Sequence, residues 1–160
     1  MKTEIFYHIA LVTHIIAITM IAGTTLADYV IYKQFWKKLA VDKPQARTIM
    51  EAVSKLPVLF GIGFILIIVS GVYMMYVTNG AFGEQTWFRV KFALIILIII
   101  NGLAFGRRQV VKMRNILSDE TTDKNAEGLL FKIKNNLSLF HTSQLTMLIT
   151  IFVLSVFKFN

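Results

Sequence analysis

The chain has 160 residues, 56% of them hydrophobic, with a mean hydropathy of +0.64, and its 16% of charged residues is far below what a water-soluble domain of this size carries. It has no cysteine, which excludes disulfides, thiolate metal ligands and iron–sulfur clusters. A net charge of +8 would point to nucleic acid in a soluble protein, but here the basic residues flank apolar blocks, which reads as membrane topology with no nucleic-acid partner.

The apolar residues form four blocks, each close to the roughly 20 residues that cross a hydrocarbon core. They predict spans over 5–31, 57–78, 87–106 and 136–157. Each block is continuously apolar where barrel strands would alternate, so the spans are helices. The expected fold class is all-α: an integral membrane four-helix up-down bundle forming a single membrane domain over 1–160.

The first span carries THIIAITMIAGTTLADY, Thr13 to Tyr29, with a histidine inside an apolar run. Its apolar stretch is too long for a signal peptide and no A-x-A cleavage pattern follows, so the span reads as retained. At about 100° per residue, Ala10, Ala17, Ile21, Thr24, Thr25 and Asp28 all fall within roughly 80° of His14. Small residues admit close neighbours, so this stripe is expected to face the bundle interior with His14 on it. His8 is turned by about 120° and sits beside Tyr7 near the outer end, as an interfacial residue does. Asp28, near the inner boundary, reads as a solvated end residue or a partner for Lys33.

In the second span Pro57 suits the first turn, and Gly63, Ser70, Gly71 and Met74 gather on one side. Asn79-Gly80 and Gly83 form a short turn, which makes the second and third spans antiparallel neighbours. In the third span Lys91, Ile98, Gly102 and Phe105 share a face with Asn101 at its edge, and Trp87 marks the outer interface. Lys91 lies one turn deeper, so its ammonium must snorkel outward or meet a partner inside. The stretch RRQVVKMRNIL, 107–117, continues this helix beyond the membrane, and 118–125 is a polar loop. The fourth span has His141 with Ser138, Gln144 and Ser155 on one side and Thr142, Thr146 and Thr150 on the other, which leaves its inward face open.

The loop 32–56 carries six Lys and Arg residues and the loop 107–135 carries seven, so thirteen of the 17 lie on one side of a four-span chain. The positive-inside rule puts both loops in the cytoplasm and both termini outside, in a bacterial-type inner (plasma) membrane.

An imidazole at membrane depth is costly and marks a functional candidate, although it also serves as an interhelical hydrogen-bonding group. Without cysteine, histidine is the best remaining ligand for a soft-to-borderline metal. A neutral histidine can bind haem iron axially, and a bundle lined by Gly and Ala has room for a flat macrocycle.

At these residues the chain resembles the copper-resistance D (CopD-like) group and the membrane-bound, haem b-containing protoporphyrinogen oxidases. The shared marks are His14 followed by Gly23, Trp87-Phe-Arg-Val-Lys91 opening a later span, and SGVYMMYV, Ser70 to Val77. The Trp that usually precedes the glycine is Ile21 here, and Ala27-Asp28 stands near the place of a Pro-Arg pair. The resemblance implies a haem b site with His14 as an axial ligand and Lys91 as a site residue.

Three functions follow as expectations. The first is a haem b-binding redox protein, ligated by His14 with His141, Lys91 or His8, in that order, at the second axial position. The depths of His14 and His141 differ by about 9 Å in this arrangement, which calls for offset helices or an intersubunit site. The second is copper handling through His8, His14, Met20, Met74 and Met75. The third is a non-catalytic assembly or scaffold subunit whose polar groups specify helix packing; a bundle this small with glycine-rich faces also suits a homodimer, through a face the sequence does not show. No catalytic residue is assigned.

Overall fold

The computed structural model describes residues 2–81, 83–118 and 124–157, and every regular element among them is helical. Helix α1 runs Lys2–Leu39, 38 residues or about 57 Å, unbroken because no proline falls within it. It therefore passes well beyond the expected end of the first span. Tyr7 and Tyr29 are about 33 Å apart along it, close to the thickness of a hydrocarbon core. The next aromatics lie beyond Tyr29: Tyr32 and Phe35 pack edge-on against Trp36, and Lys33 Nζ lies 4.5 Å over the Tyr29 ring.

The segment expected as a loop at 32–56 is mostly helical. Helix α2, Lys43–Ala52, starts where Asp42 Oδ1 accepts from Gln45 N at 3.0 Å, with Pro44 in the first turn. A short 3-10 turn, Val53–Lys55, leads into α3, Leu56–Val77. Pro57 sits in the first turn of α3 as expected. After α3 the chain turns at Asn79 and Gly80, whose φ values of 49° and 74° are left-handed and suit these two residue types.

Helix α4, Thr86–Ile100, passes directly into a π-helical segment, Asn101–Gly106, and then into α5, Arg107–Ser118. So 107–117 does continue the third apolar helix. Helix α6 runs Lys124–Phe157. The loop expected at 118–125 lies largely outside the described residues.

Among the described residues, three helical runs are long and apolar enough to cross a membrane: Glu4–Leu39, Lys43–Val77 and Gly128–Phe157. Helix α4 alone has 15 residues, about 22 Å, and reaches membrane thickness only together with the π segment. Large apolar side chains line the outside of these helices. On α1, Ile5, Ile9, Val12, Ile16, Leu26 and Val30 are all exposed at spacings built from threes and fours, a stripe suited to lipid rather than water.

The chain divides into two compact units, one ending at Arg89 and one covering Val90–Phe157. In the first, α3 packs antiparallel on α1, and α2 folds back against α1. Gly63 fixes the closest approach. A Cβ there would lie 3.1 Å from Ile21 Cγ1 and 3.3 Å from the Ala17 carbonyl, so any larger residue would crowd α1 at this contact. The expected inward stripe of α1 is the one used: Ala10, Ala17, Ile21, Thr24 and Thr25 are buried.

In the second unit, α6 packs against the π segment and α5. Gly106 is the contact point, since a Cβ there would come within 2.8 Å of the Phe140 ring. The π segment also alters the face of this helix. Lys91 and Ile98 point inward as the 100° periodicity predicts, but Phe105 is 58% exposed. A π turn holds one residue more than an α turn, so every later position is out of phase by one. Gly106 and Met113 take the inward places instead.

Candidate functional site

Polar side chains within the helices gather at three places. The first is His14. Ser70 on α3 has one hydroxyl proton, and its Oγ lies 2.6 Å from the Leu66 carbonyl and 3.2 Å from that of Ile67, both acceptors. The proton is thereby committed to its own helix, as serine hydroxyls in helices commonly are. The 2.9 Å contact between Ser70 Oγ and His14 Nδ1 then requires the imidazole to donate from Nδ1. The neutral ring in this tautomer carries its lone pair on Nε2. Gly71 lies beside the ring, where a Cβ would be 3.6 Å from His14 Cε1, ordinary contact distance.

This arrangement is the one histidine ligands use. A fixed Nδ1–H bond orients the ring and presents Nε2 as the basic nitrogen. Thr24 and Thr25, further along the same buried face, direct their hydroxyls to the Met20 and Ile21 carbonyls and so satisfy themselves within α1.

The second place is Lys91 on α4. Its Nζ donates to Ser155 Oγ on α6 at 2.9 Å, and Ser155 donates onward to the Ile151 carbonyl at 2.7 Å. Of the two courses open to this ammonium, snorkelling or an inward partner, it takes the second.

The third place lies at the start of the π segment. Asn101 Nδ2 donates to Gln144 Oε1 at 2.9 Å and to Ser143 Oγ at 3.1 Å, and it lies 3.4 Å from the Phe140 carbonyl. Gln144 and His141, one turn apart on α6, are both 4% exposed. They settle the inward face of α6. Thr142, Thr146 and Thr150 face outward, and the hydroxyls of Thr146 and Thr150 bond to the carbonyls four residues back. Their polarity is spent locally, so it carries no information about neighbours.

The four candidate ligands are thus distributed. His8 is exposed, with Nδ1 2.7 Å from the Glu4 carbonyl and its ring edge-on to Tyr7, as an interfacial residue. His14 stands in the first unit, and His141 and Lys91 in the second. Ser155, the partner of Lys91, is fourteen residues from His141 on one helix, about 21 Å along its axis. Lys91 and His141 therefore cannot serve one metal ion. Among the described residues no three His, Asp or Glu side chains come together as a metal cluster. Ser70 was visible in the sequence only as one of the small residues on the second span. The tautomer it imposes on His14 needed the antiparallel register.

Long apolar helices with polar residues turned inward define an integral membrane protein. The chain belongs to the family described as "Predicted integral membrane protein (DUF2269)", whose model matches residues 8–159. No curated protein and no solved structure matches it.

Proposed function

We propose that the chain is a haem b-binding integral membrane protein, folded as a four-helix up-down bundle, with His14 Nε2 as an axial ligand. One observation carries the reading. The His14–Ser70 hydrogen bond holds the imidazole in the tautomer that offers Nε2 to a metal. Haem iron, when bound, supplies one-electron transfer and so an oxidoreductase role. The resemblance of the first and third apolar helices to haem b-containing oxidases supports that role. His141, Lys91 or His8, in that order, would be the candidates for a second protein ligand to the iron, and His141 and Lys91 exclude each other on one iron.

The residues of this chain perform three tasks in this reading. His14 would donate the ligating lone pair, Ser70 holds its Nδ1 proton, and Gly71 packs beside the ring. Joining α4 to the π segment supplies the fourth span. By the positive-inside rule, the thirteen basic residues of the two charged segments support an orientation with these segments in the cytoplasm and both termini outside.

The test is a haemin titration of the detergent-purified protein, with copper content measured in parallel. A saturable Soret band at one haem per chain, abolished in His14→Ala, is expected. Full haem binding by His14→Ala, or bound copper in place of haem, overturns the assignment. A protein with neither, in which His14→Gln or His14→Asn changes stability but no bound cofactor, would be the scaffold subunit.

A further inference from the structure

The second unit holds a feature that the haem reading leaves unused. Asn101 and Gln144 lie about 22 Å along α4 from Thr86, inside membrane thickness, and their amides meet at one edge only. A doubly bonded amide pair would also have Gln144 Nε2 donate to Asn101 Oδ1, and that bond is absent. The orientation of both amides is fixed, because Asn101 must present its nitrogen to the Phe140 carbonyl and Gln144 must then present its oxygen. No other hydrogen bond engages Gln144 Nε2 or Asn101 Oδ1 among the described residues.

Gln144 is 4% exposed, so two amide protons stand without a partner on a side chain more than nine-tenths buried. Such a group is costly in hydrocarbon. Neither of the two atoms is sealed from the exterior. At the residue that follows Asn101 in the chain, a Cβ built on Gly102 would meet nothing within 4 Å, which leaves open space on that side of the π segment. Phe140 adds an aromatic ring on the facing helix, in edge contact with His141.

We propose that Asn101 and Gln144 bind the hydroxyl of a bilayer-borne quinol, which accepts from Gln144 Nε2 and donates to Asn101 Oδ1. A hydroxyl satisfies both atoms, whereas the carbonyl of the corresponding quinone accepts from Gln144 and leaves Asn101 unpaired. Neither amide is charged, which suits a neutral head group. The open flank at Gly102, without a Cβ, suits a flat ring. The site is built within the second unit and does not rest on the haem reading.

The test is equilibrium dialysis of the full chain in lipid nanodiscs against tetramethylbenzoquinol and, separately, its quinone, under anaerobic conditions. Empty nanodiscs give the partitioning background. The quinol is expected to bind about tenfold more tightly than the quinone, the effect of one hydrogen bond at this depth. Gln144→Met and Gly102→Leu are each expected to weaken quinol binding tenfold or more; the second fills the open space and leaves the hydrogen bonds in place. Equal binding of quinol and quinone, or no binding above empty nanodiscs, overturns the proposal. So does parental quinol affinity in either variant when it is folded by circular dichroism. Should neither variant fold, the quinol-to-quinone ratio of the parent decides alone.

Discussion

Replacing Ser70 by alanine separates a ligand-orienting bond from a packing bond. The substitution removes the acceptor 2.9 Å from His14 Nδ1 and leaves the backbone of α3 intact, since the bond from Ser70 to Leu66 is not needed for the helix. An interhelical side-chain hydrogen bond within a membrane contributes about 0.6 kcal/mol on average and up to about 1.7. Stability measured by unfolding in mixed detergent should fall by that modest amount. The effect on haem should be larger. Losing the partner of a ligating histidine typically weakens metal binding by about 10- to 100-fold, or about 1.4–2.8 kcal/mol. Haemin titration of Ser70→Ala should show that loss, and Ser70→Thr, which keeps a hydroxyl, should recover most of it. Parental haem affinity in a folded Ser70→Ala protein would refute the orienting role. Equal losses of stability and affinity would reduce the bond to packing.

Other outcomes follow from the two close helix contacts and the span count. Gly63→Leu should prevent α1 and α3 from meeting, at a cost of about 1–3 kcal/mol or more, read by the same unfolding assay. Gly106→Ala should be destabilising because its Cβ would enter the Phe140 ring, and Phe140→Leu should relieve it, giving a coupling of about 0.5–3 kcal/mol in a double-mutant cycle. Because the chain has no cysteine, Asp42→Cys, Ala81→Cys and Asn115→Cys can each be labelled with a membrane-impermeant thiol reagent. Four spans place positions 42 and 115 on one side and 81 on the other; labelling of 81 and 115 from the same side would remove the segment 86–106 from the count.

Much of the helix packing was legible because helical periodicity acts on every residue alike. His14 and its small neighbours form a face that any 100° projection shows, and α1 buries that face. The projection failed at Phe105 because it assumes an unbroken α-helix. A single π segment moves all later residues by one, and nothing in NGLAFG marks it apart from its two glycines. The inward side of α6 was undecidable for a different reason. Thr146 and Ser143 both donate to their own backbone, and nothing in the letters shows that Ser143 alone of the two also accepts from a neighbouring helix, at Asn101. The extension of α1 to Leu39 and the helix α2 were hidden by charge, since Lys33, Lys37 and Lys38 mark where the membrane ends and not where the helix ends. At the candidate site, His14 was visible as an ionisable residue in an apolar run. Its partner was not, because pairing Ser70 with His14 requires the register that Gly63 sets against Ala17 and Ile21.

The most direct test of a haem site at His14 is the absorption spectrum of the detergent-purified protein, expressed with added haem precursor and recorded oxidised and then reduced. The account predicts a Soret band and, on reduction, sharpened haem b bands, all lost in His14→Ala while the protein remains folded. A colourless parent protein, or a His14→Ala protein with an unchanged spectrum, would contradict it.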